Sequence, residues 1–120
     1  MPDVFEVGTM NVPSFMGLNR GVEYVINKGI NKINEKITRL RSYFVKEVSK
    51  IEKVITYGTN YKSLYTGVVS LNIENIPSSE VSLKLYEKYG IATRSGAHCA
   101  PLLHEYFHTK EQGMVRFSFS

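Results

Sequence analysis

Apolar residues recur at helical spacing between residues 30 and 51, and the pattern predicts one long helix. At about 3.6 residues per turn, the apolar positions share one side of this helix, at Ile30, Ile33, Ile37, Leu40, Phe44, Val48 and Ile51. Basic residues share the opposite side, at Lys32, Lys36, Arg39, Lys46, Lys50 and Lys53. The segment is therefore predicted to be an amphipathic helix with a solvated basic face.

A shorter helix is predicted ahead of it, from about Met16 to Lys28. Its buried side would carry Val22, Val25 and Ile26. Gly29 would end it, because glycine readily adopts the left-handed backbone found at helix ends. The residues before this helix mix glycine, asparagine and proline, and they predict an irregular loop.

Alternating apolar and polar residues predict strands in the second half of the chain. Segments 53–58 and 66–74 are predicted strands, joined by a loop over 59–65. In the second strand, apolar residues alternate with Ser70 and Asn72, and the residues predicted to face the core are Val69, Leu71 and Ile73. The final segment GMVRFSFS repeats the pattern, and its residues predicted to face the core are Val115, Phe117 and Phe119.

Two further helical segments are predicted between these strands. The first is capped by Ser78 or Ser79 and stopped by Gly90. One face of it carries Val81, Leu85 and Tyr89. After a β-like segment over 91–94, Pro101 suits the start of a helical turn that continues through Leu102–His108.

Composition excludes several classes of protein. The chain has 120 residues, 42% of them hydrophobic, which suits one domain with a modest core. Its single cysteine excludes an internal disulfide and fits a reducing compartment. No apolar run approaches the roughly 18 to 20 residues that span a bilayer, and the N-terminus does not resemble a secretory signal. A cytoplasmic protein without a membrane partner is predicted.

The net charge of +4 raises the question of nucleic-acid binding. Much of the basic charge lies on the outer face of the long helix, where it is usual for a solvated surface. The chain also lacks the glycine–aromatic signature of RNA-binding domains and the spacing of zinc fingers. No nucleic-acid partner is predicted.

The only cysteine, Cys99, lies in the segment RSGAHCAPLLH. A nucleophilic cysteine needs thiolate character, which nearby positive charge favours. Arg94 and His98 would supply such charge, and a helix beginning at Pro101 would direct its positive end toward the thiol. Gly96 would allow a tight turn between strand and cysteine. These features fit a reactive thiol and an inert buried cysteine equally well.

Metal and phosphate sites are weaker alternatives. His104 and His108 are spaced to share a helical face near the cysteine, but the second cysteine pair or carboxylate typical of zinc sites is missing. No metal is therefore predicted. Gly8 and Thr9 form a backbone-plus-hydroxyl pair that suits an anion, although ordinary turns have the same composition.

The motifs occur in an order that resembles the C-terminal part of cysteine desulfurases, from about Pro2 to Ser120. They are FEVGTMN, a helix pair, YGIATRSGAHCAPLLH and GMVRFSFS, of which RSGAHCA and VRFSFS are the most specific. These enzymes use pyridoxal phosphate and belong to the class V aminotransferase group, with fold type I. The resemblance implies the small C-terminal domain of that fold, an α/β two-layer unit with helices packed on a mostly antiparallel sheet of three or four strands.

The resemblance also implies how the chain is divided. Residues 1–28 would contact the large domain and the dimer partner, and residues 29–120 would form the small domain that carries the cysteine loop. The chain starts in a predicted loop and stops within a predicted strand, so we expect a piece of a larger protein, truncated in its last strand.

The activity implied by the resemblance is the desulfuration of L-cysteine to alanine with pyridoxal phosphate. Cys99 matches the cysteine that takes up the sulfur as a persulfide, for transfer to an acceptor protein in processes such as iron–sulfur cluster assembly. Arg116 matches the arginine that binds the substrate carboxylate, and Arg94 the arginine expected near it. Thr9 matches a threonine that reaches the cofactor phosphate of the neighbouring subunit in family homodimers.

His98 and Asn11 are further candidate site residues, and the sequence departs from the family pattern beside each of them. Ala97 stands where several members have another histidine, and Met10 replaces a proline in the Gly-Thr-Pro-Asn motif. The lysine that holds the cofactor belongs to the family's large domain, and Lys110, near the cysteine loop, lies in no matching motif. The fragment alone is therefore expected neither to bind the cofactor nor to desulfurate cysteine.

Other functions remain open at this stage. Within the family, the alternatives are a selenocysteine lyase or another class V aminotransferase. Outside it, Cys99 would serve a cofactor-free sulfur carrier, or would be an inert thiol in an interaction domain.

Exposed apolar residues lead to a prediction about association. Without a large domain and partner subunit, Phe15, Met16 and the inner face of the last strand would be exposed, and such patches favour self-association. We expect a non-native oligomer or domain exchange, which light scattering over a range of protein concentrations would detect. A monomer at every concentration would contradict this prediction.

Overall fold

The computed structural model describes residues 8–59 and 66–120. The elements are α1 (Val12–Lys28), α2 (Ile30–Val48), β1 (Val54–Tyr57), β2 (Val68–Ile73), α3 (Ser78–Tyr89), α4 (Pro101–Tyr106) and β3 (Val115–Ser118). They fall into two compact units, Met1–Asn34 and Glu35–Ser120. The predicted loop over 59–65 lies, apart from Thr59, outside the described residues. The proposed division at residue 28 stays a prediction.

Helix α1 begins at Val12, four residues before its predicted start. Asn11 caps it, because its side-chain oxygen accepts a hydrogen bond from the Ser14 N–H at 3.2 Å. Pro13 lies in the first turn, where its missing N–H costs nothing. The predicted end is confirmed: Gly29 has a φ of +84° and donates its N–H to the carbonyls of Val25 and Ile26.

The prediction of a buried side for α1 is wrong. Val22, Val25 and Ile26 are 47%, 39% and 66% exposed, and α1 has no buried residue. Within the described part of its unit, nothing covers the apolar stripe. Phe15 and Met16 are exposed, as expected. Among the described helices, none combines the length and apolar character needed to cross a membrane.

Helix α2 has the predicted amphipathic character but ends at Val48, before Ile51. Its predicted basic face is exposed. On the other side, Phe44 and Val48 pack against the core of the second unit. Ring centroids of Phe44 and Phe117 lie 4.7 Å apart, and those of Phe44 and Phe119 lie 5.3 Å apart. This packing covers the inner face of the last strand, so the expectation that this face is exposed is wrong.

The three strands form the antiparallel sheet that was predicted, in the order β1-β2-β3. The register pairs Val54 with Ile73 and Leu71 with Val115. Side chains from the sheet, from α3 and from the residue before β3 form the core, whose buried apolar members are Val69, Leu71, Val81, Met114 and Val115.

Asn72 lies on the face of β2 that was predicted to be polar, yet it is 1% exposed. The turn before β3 covers it, and Asn72 donates from Nδ2 to the carbonyl of Gly113 at 2.8 Å and to Oε1 of Gln112 at 3.2 Å. Gln112 in turn donates from Nε2 to the carbonyls of Ile73 at 2.9 Å and Ile76 at 2.7 Å. A buried polar network thus fastens this turn to the sheet.

Helix α3 ends at Gly90 as predicted, with a left-handed φ of +66°. The cap prediction is wrong, because Pro77 is the N-cap and no side chain caps the helix. Ser78 is buried and instead accepts a hydrogen bond from the Gly96 N–H at 3.2 Å. Tyr89 is 71% exposed and so does not share the buried face of Val81.

Gly113 is a position where a side chain would disrupt the fold. Its φ is +67°, and an added Cβ would lie 2.6 Å from Ser78 Oγ and 2.8 Å from Gly96 Cα. We expect Gly113→Ala to lower the free energy of unfolding by about 1–3 kcal/mol more than the left-handed backbone alone would. Urea unfolding followed by circular dichroism measures the change.

Gly90→Ala is the matched control. Gly90 has nearly the same φ, +66°, but an added Cβ meets nothing within 4 Å. It therefore reports the cost of the backbone conformation without the steric clash. Equal destabilisation by the two substitutions would show that the close approach at Gly113 does not matter.

Candidate functional site

The cysteine loop begins with an isolated β-bridge between Arg94 and Arg116 on the outer edge of β3. Arg94 donates its N–H to the Arg116 carbonyl at 3.1 Å and accepts from the Arg116 N–H at 2.8 Å. Gly96 and Met114 exchange the same two bonds, both at 3.1 Å. Of the predicted β-like segment 91–94, only Arg94 forms a β-bridge. Because directly paired residues in antiparallel strands direct their side chains to the same face, the two guanidinium groups share one face.

The chain reverses direction at the cysteine itself. His98 and Cys99 both have left-handed backbones, with φ of +52° and +57°, and the Ala100 N–H donates to the Ala97 carbonyl at 2.9 Å. Positive φ at both central residues and this hydrogen bond describe a type I′ turn, which normally takes Asn, Asp or Gly. Non-glycine residues in this region store strain, of order 1–3 kcal/mol each.

Sequence reasoning assigned the tight turn to Gly96 and missed the turn made by His98 and Cys99. Gly96 does have a positive φ, +98°, but it belongs to the edge pairing. Neither His98 nor Cys99 is one of the residues, Asn, Asp or Gly, that predict such a turn from the sequence. As a result of the turn, Cys99 is a free and exposed cysteine, which is the opposite of the buried, inert alternative.

His98 is a neutral base rather than the cation that the sequence suggested. Its Nε2 lies 2.8 Å from the Arg94 carbonyl, and since a carbonyl only accepts, Nε2 carries the proton. Burial is the main cause that lowers the pKa of His98 below 6.5, and the charges of Arg116, His104 and Arg94 lower it further. At neutral pH its other ring nitrogen therefore has a free lone pair, and the arginines supply the positive charge.

Arg116 is held on β3 with part of its guanidinium unsatisfied. Its Nε is buried and makes no hydrogen bond within the described part of the chain. Neither Arg94 nor Arg116 forms an ion pair with any described residue. A buried donor without a partner is costly, so this pair of arginines suits an anion from elsewhere, such as a carboxylate.

His104 and His108 do not share an exposed metal-binding face. His104 is 1% exposed, and its Nδ1 lies 2.9 Å from the Thr109 hydroxyl, whereas His108 is exposed. Among the described residues, no group of three or more His, Cys, Asp or Glu side chains could hold a metal ion. The structure thus offers no metal centre in the ranges it describes.

The remaining candidates lie in the first unit. Thr9 is exposed in the bend before α1, and the Asn11 side chain caps α1. Cys99, Arg94, Arg116 and His98 all belong to the second unit. Hydrogen bonds link Arg94 to Arg116 and to His98, which precedes Cys99 in the turn. The roles of all six candidate residues stay predictions.

The residues present fit one part of a pyridoxal phosphate site. The two guanidinium groups, which form no ion pair with a described residue, suit the carboxylate of an amino-acid substrate. The exposed thiol suits a sulfur acceptor. Lys110 is exposed, and its ammonium pairs with Glu105 at 3.0 Å, so it does not fit the lysine that would bind the cofactor.

The sequence matches known proteins along its whole length. The family model described as Aminotransferase class-V matches residues 1–120. A probable cysteine desulfurase from Xylella fastidiosa is 36% identical over 106 residues, which are 88% of this chain and 25% of that protein. A cysteine desulfurase from Wigglesworthia glossinidia brevipalpis is 30% identical over 118 residues, 98% of this chain and 27% of that protein. The chain spans about a quarter of the length of these curated relatives.

Solved structures agree with this match. The apo structure of a cysteine desulfurase from Thermococcus onnurineus superposes with a TM-score of 0.79 at 30% identity, over 98% of this chain and 28% of that one. The S-sulfonic acid form of the Escherichia coli cysteine desulfurase CsdA gives a TM-score of 0.82 at 24% identity, over 96% of this chain and 27% of that one. At that identity, the second likeness shows the fold alone.

The charges around His98 lead to a prediction about its titration. Arg116 is the first of the nearby charges that lower the pKa of His98, because a cation disfavours protonation of the imidazole. We expect Arg116→Gln to raise that pKa toward 6.5, as measured by NMR titration of the imidazole signals. Lys50→Gln removes the same charge from an exposed pair with Glu47 and should leave His98 unchanged.

The same shift predicts how stability depends on pH. His98 binds a proton less readily in the folded state than in the unfolded state. Its contribution to the free energy of unfolding is therefore fully present above pH 6.5. It is lost as the pH falls from 6.5 to the pKa of the folded state. A His98 signal that titrates at or above 6.5 in the folded chain would contradict both predictions.

Proposed function

The chain belongs to the class V aminotransferase family, and from this premise we propose that it is part of a cysteine desulfurase in which Cys99 takes up the sulfur. The observation that carries the proposal is the exposed thiol of Cys99 in a strained turn, within a loop that also pairs Arg94 with Arg116. Neither arginine has an ion-pair partner among the described residues. Strained backbone and unpaired charge are costs that proteins retain at functional sites.

Arg116 binds the carboxylate of L-cysteine in this proposal. Its planar guanidinium donates two parallel hydrogen bonds to a carboxylate, which lysine cannot do. Its buried Nε lacks a hydrogen-bond partner within the described residues, so this donor is available to a bound carboxylate. Arg94, paired with Arg116 through the backbone, adds the second positive charge on the same face.

Cys99 acts as the nucleophile. The reactive form of a cysteine is the thiolate. The thiolate attacks the sulfur of the substrate, so that a sulfur–sulfur bond forms and the substrate carbon–sulfur bond breaks. The balance is L-cysteine plus thiol giving alanine plus enzyme persulfide, and no external oxidant is needed. The turn presents the thiol to solvent, where an acceptor protein removes the outer sulfur.

Pyridoxal phosphate supplies the electron sink for this reaction when it is bound. Its lysine lies in the part of the relatives that this chain does not span, and Thr9 would contact its phosphate from the neighbouring subunit. In this proposal residues 1–28 contact the large domain and the partner subunit of a homodimer. We place the reaction in the cytoplasm, where it serves sulfur transfer such as iron–sulfur cluster assembly. This chain alone is inactive.

The alternatives receive less support. The relatives reported above are named cysteine desulfurases, which favours that activity over a selenocysteine lyase or another class V reaction. The match to the family over residues 1–120 disfavours a cofactor-free sulfur carrier and an interaction domain. The exposed position of Cys99 also disfavours an inert thiol.

Two substitutions test the proposal in the full-length protein. Cys99→Ala should abolish alanine release and persulfide formation, because no acceptor for the sulfur remains. Arg116→Lys should lower kcat/KM about 10- to 100-fold, mainly through KM, because a bond to a charged partner is worth about 1.5–3 kcal/mol. Alanine is quantified by chromatography and the persulfide by mass spectrometry.

The fragment provides the control for this experiment. Incubated with pyridoxal phosphate and borohydride, it should show no lysine adduct by mass, and with L-cysteine it should release no alanine. A full-length Cys99→Ala protein with normal turnover would contradict the role of Cys99. A specific lysine adduct on the fragment would contradict the claim that the cofactor lysine lies elsewhere.

A further inference from the structure

The cysteine turn needs support from the residues around it. His98 and Cys99 both hold left-handed backbones that cost free energy in non-glycine residues. One support is the hydrogen bond from His98 Nε2 to the Arg94 carbonyl at 2.8 Å. That bond holds one edge of the imidazole, and the ring needs a second contact to fix its plane.

The second contact comes from His104, whose ring centroid lies 6.0 Å from that of His98 at an interplanar angle of 58°. His104 is on α4 and is 1% exposed. The two rings therefore meet at a distance typical of aromatic pairs, with the buried ring of His104 behind the half-exposed ring of His98.

His104 is itself fixed by Thr109. Its Nδ1 lies 2.9 Å from the Thr109 hydroxyl and 3.3 Å from the Thr109 carbonyl. Thr109 donates its N–H back to the His104 carbonyl at 2.9 Å, and its own carbonyl accepts from the Gly113 N–H at 2.8 Å. The pair is thus connected to the turn that packs against Gly96 at the start of the cysteine loop.

Burying the imidazole of His104 costs more free energy than burying an apolar ring of similar size would. Its Nε2 is buried and makes no hydrogen bond within the described part of the chain. A buried polar atom left unsatisfied costs about 1–3 kcal/mol, so an apolar ring of similar size would pack there at lower cost. A histidine at this position is therefore unexplained by packing and points to a role in the neighbouring site.

We propose that His104 is a positioning residue, which, held by Thr109, fixes the ring of His98 and through it the turn that presents Cys99. The proposal rests on the proposed function insofar as Cys99 is the reactive thiol. The charged and titratable groups that face His98 are Arg94, Arg116, His104 and the adjacent Cys99. His104 acts on the thiol only through His98.

Substitutions in this chain separate positioning from charge and from folding. His104→Phe keeps a buried ring but loses the bond to Thr109. Thr109→Val keeps the shape of the side chain and the imidazole of His104, and it removes only the hydroxyl. Thr109→Ser restores the hydroxyl and is the rescue variant. His108→Phe is the matched control, because His108 is an exposed histidine four residues along the chain.

Two readouts report on the site, and circular dichroism reports on the fold. NMR follows the titration of His98 and the exchange of its Nε2 proton with water. Iodoacetamide alkylation of Cys99, measured against pH, follows the thiol, and in the unaltered chain we expect its rate to change where His98 titrates.

We expect faster exchange of the Nε2 proton in His104→Phe and Thr109→Val, because the ring is released from the Arg94 carbonyl. The pKa of His98 should rise toward 6.5, since the released ring is less buried, and the change in alkylation rate should move to the same pH. Thr109→Ser and His108→Phe should match the unaltered chain. A shift in Thr109→Val is decisive, because that variant retains the imidazole of His104.

An unchanged His98 in Thr109→Val would overturn the proposal, and so would a shifted His98 without any effect on Cys99 alkylation. If His104→Phe does not fold, Thr109→Val and Thr109→Ser still give the answer. None of these measurements requires desulfuration. Normal turnover of Cys99→Ala in the full-length protein would therefore refute the proposed function separately, whatever the result for His104.

Discussion

The candidate site depends on one backbone interaction, the antiparallel pairing of residues 94–96 with residues 114–116. Its hydrogen bonds, between 2.8 and 3.1 Å long, add the start of the cysteine loop to the outer edge of the sheet. They place Arg94 opposite Arg116, and they fix where the cysteine turn starts relative to this pair. Without this pairing, the thiol and the two guanidinium groups would have no fixed relation.

That pairing is possible because two backbones approach closely at Gly113 and Gly96. Two hydrogen bonds hold Gly113 in its turn: its carbonyl accepts from Asn72 Nδ2, and its N–H donates to the Thr109 carbonyl. Directional hydrogen bonds between buried groups restrict the geometry of this turn more than apolar packing alone would. The network therefore gives the cysteine loop a rigid base, although the loop itself is exposed.

The site is open and positively charged, which agrees with a part of a larger enzyme. The chain contributes an exposed thiol, two arginines without ion pairs among the described residues, and a histidine that is neutral at pH 7. Lys110, the lysine near the cysteine loop, pairs with Glu105 instead. An exposed apolar stripe on α1 is consistent with a surface that the rest of such an enzyme covers.

The sequence by itself determined the order of helices and strands, the ends of α1 and α3 at Gly29 and Gly90, and the residue types able to handle sulfur and a carboxylate. These features follow from backbone preferences and side-chain chemistry, which act over a few residues. Only the tertiary structure decided which residues are buried and how the cysteine turn is made. The burial of Asn72 and His104 and the left-handed backbones of His98 and Cys99 run against local preference. Asn72 is stabilised by hydrogen bonds to residues 40 and 41 positions along the chain, which no local pattern records. His98 and His104 are held by specific side-chain contacts within residues 94–109, which periodicity and residue preference do not record.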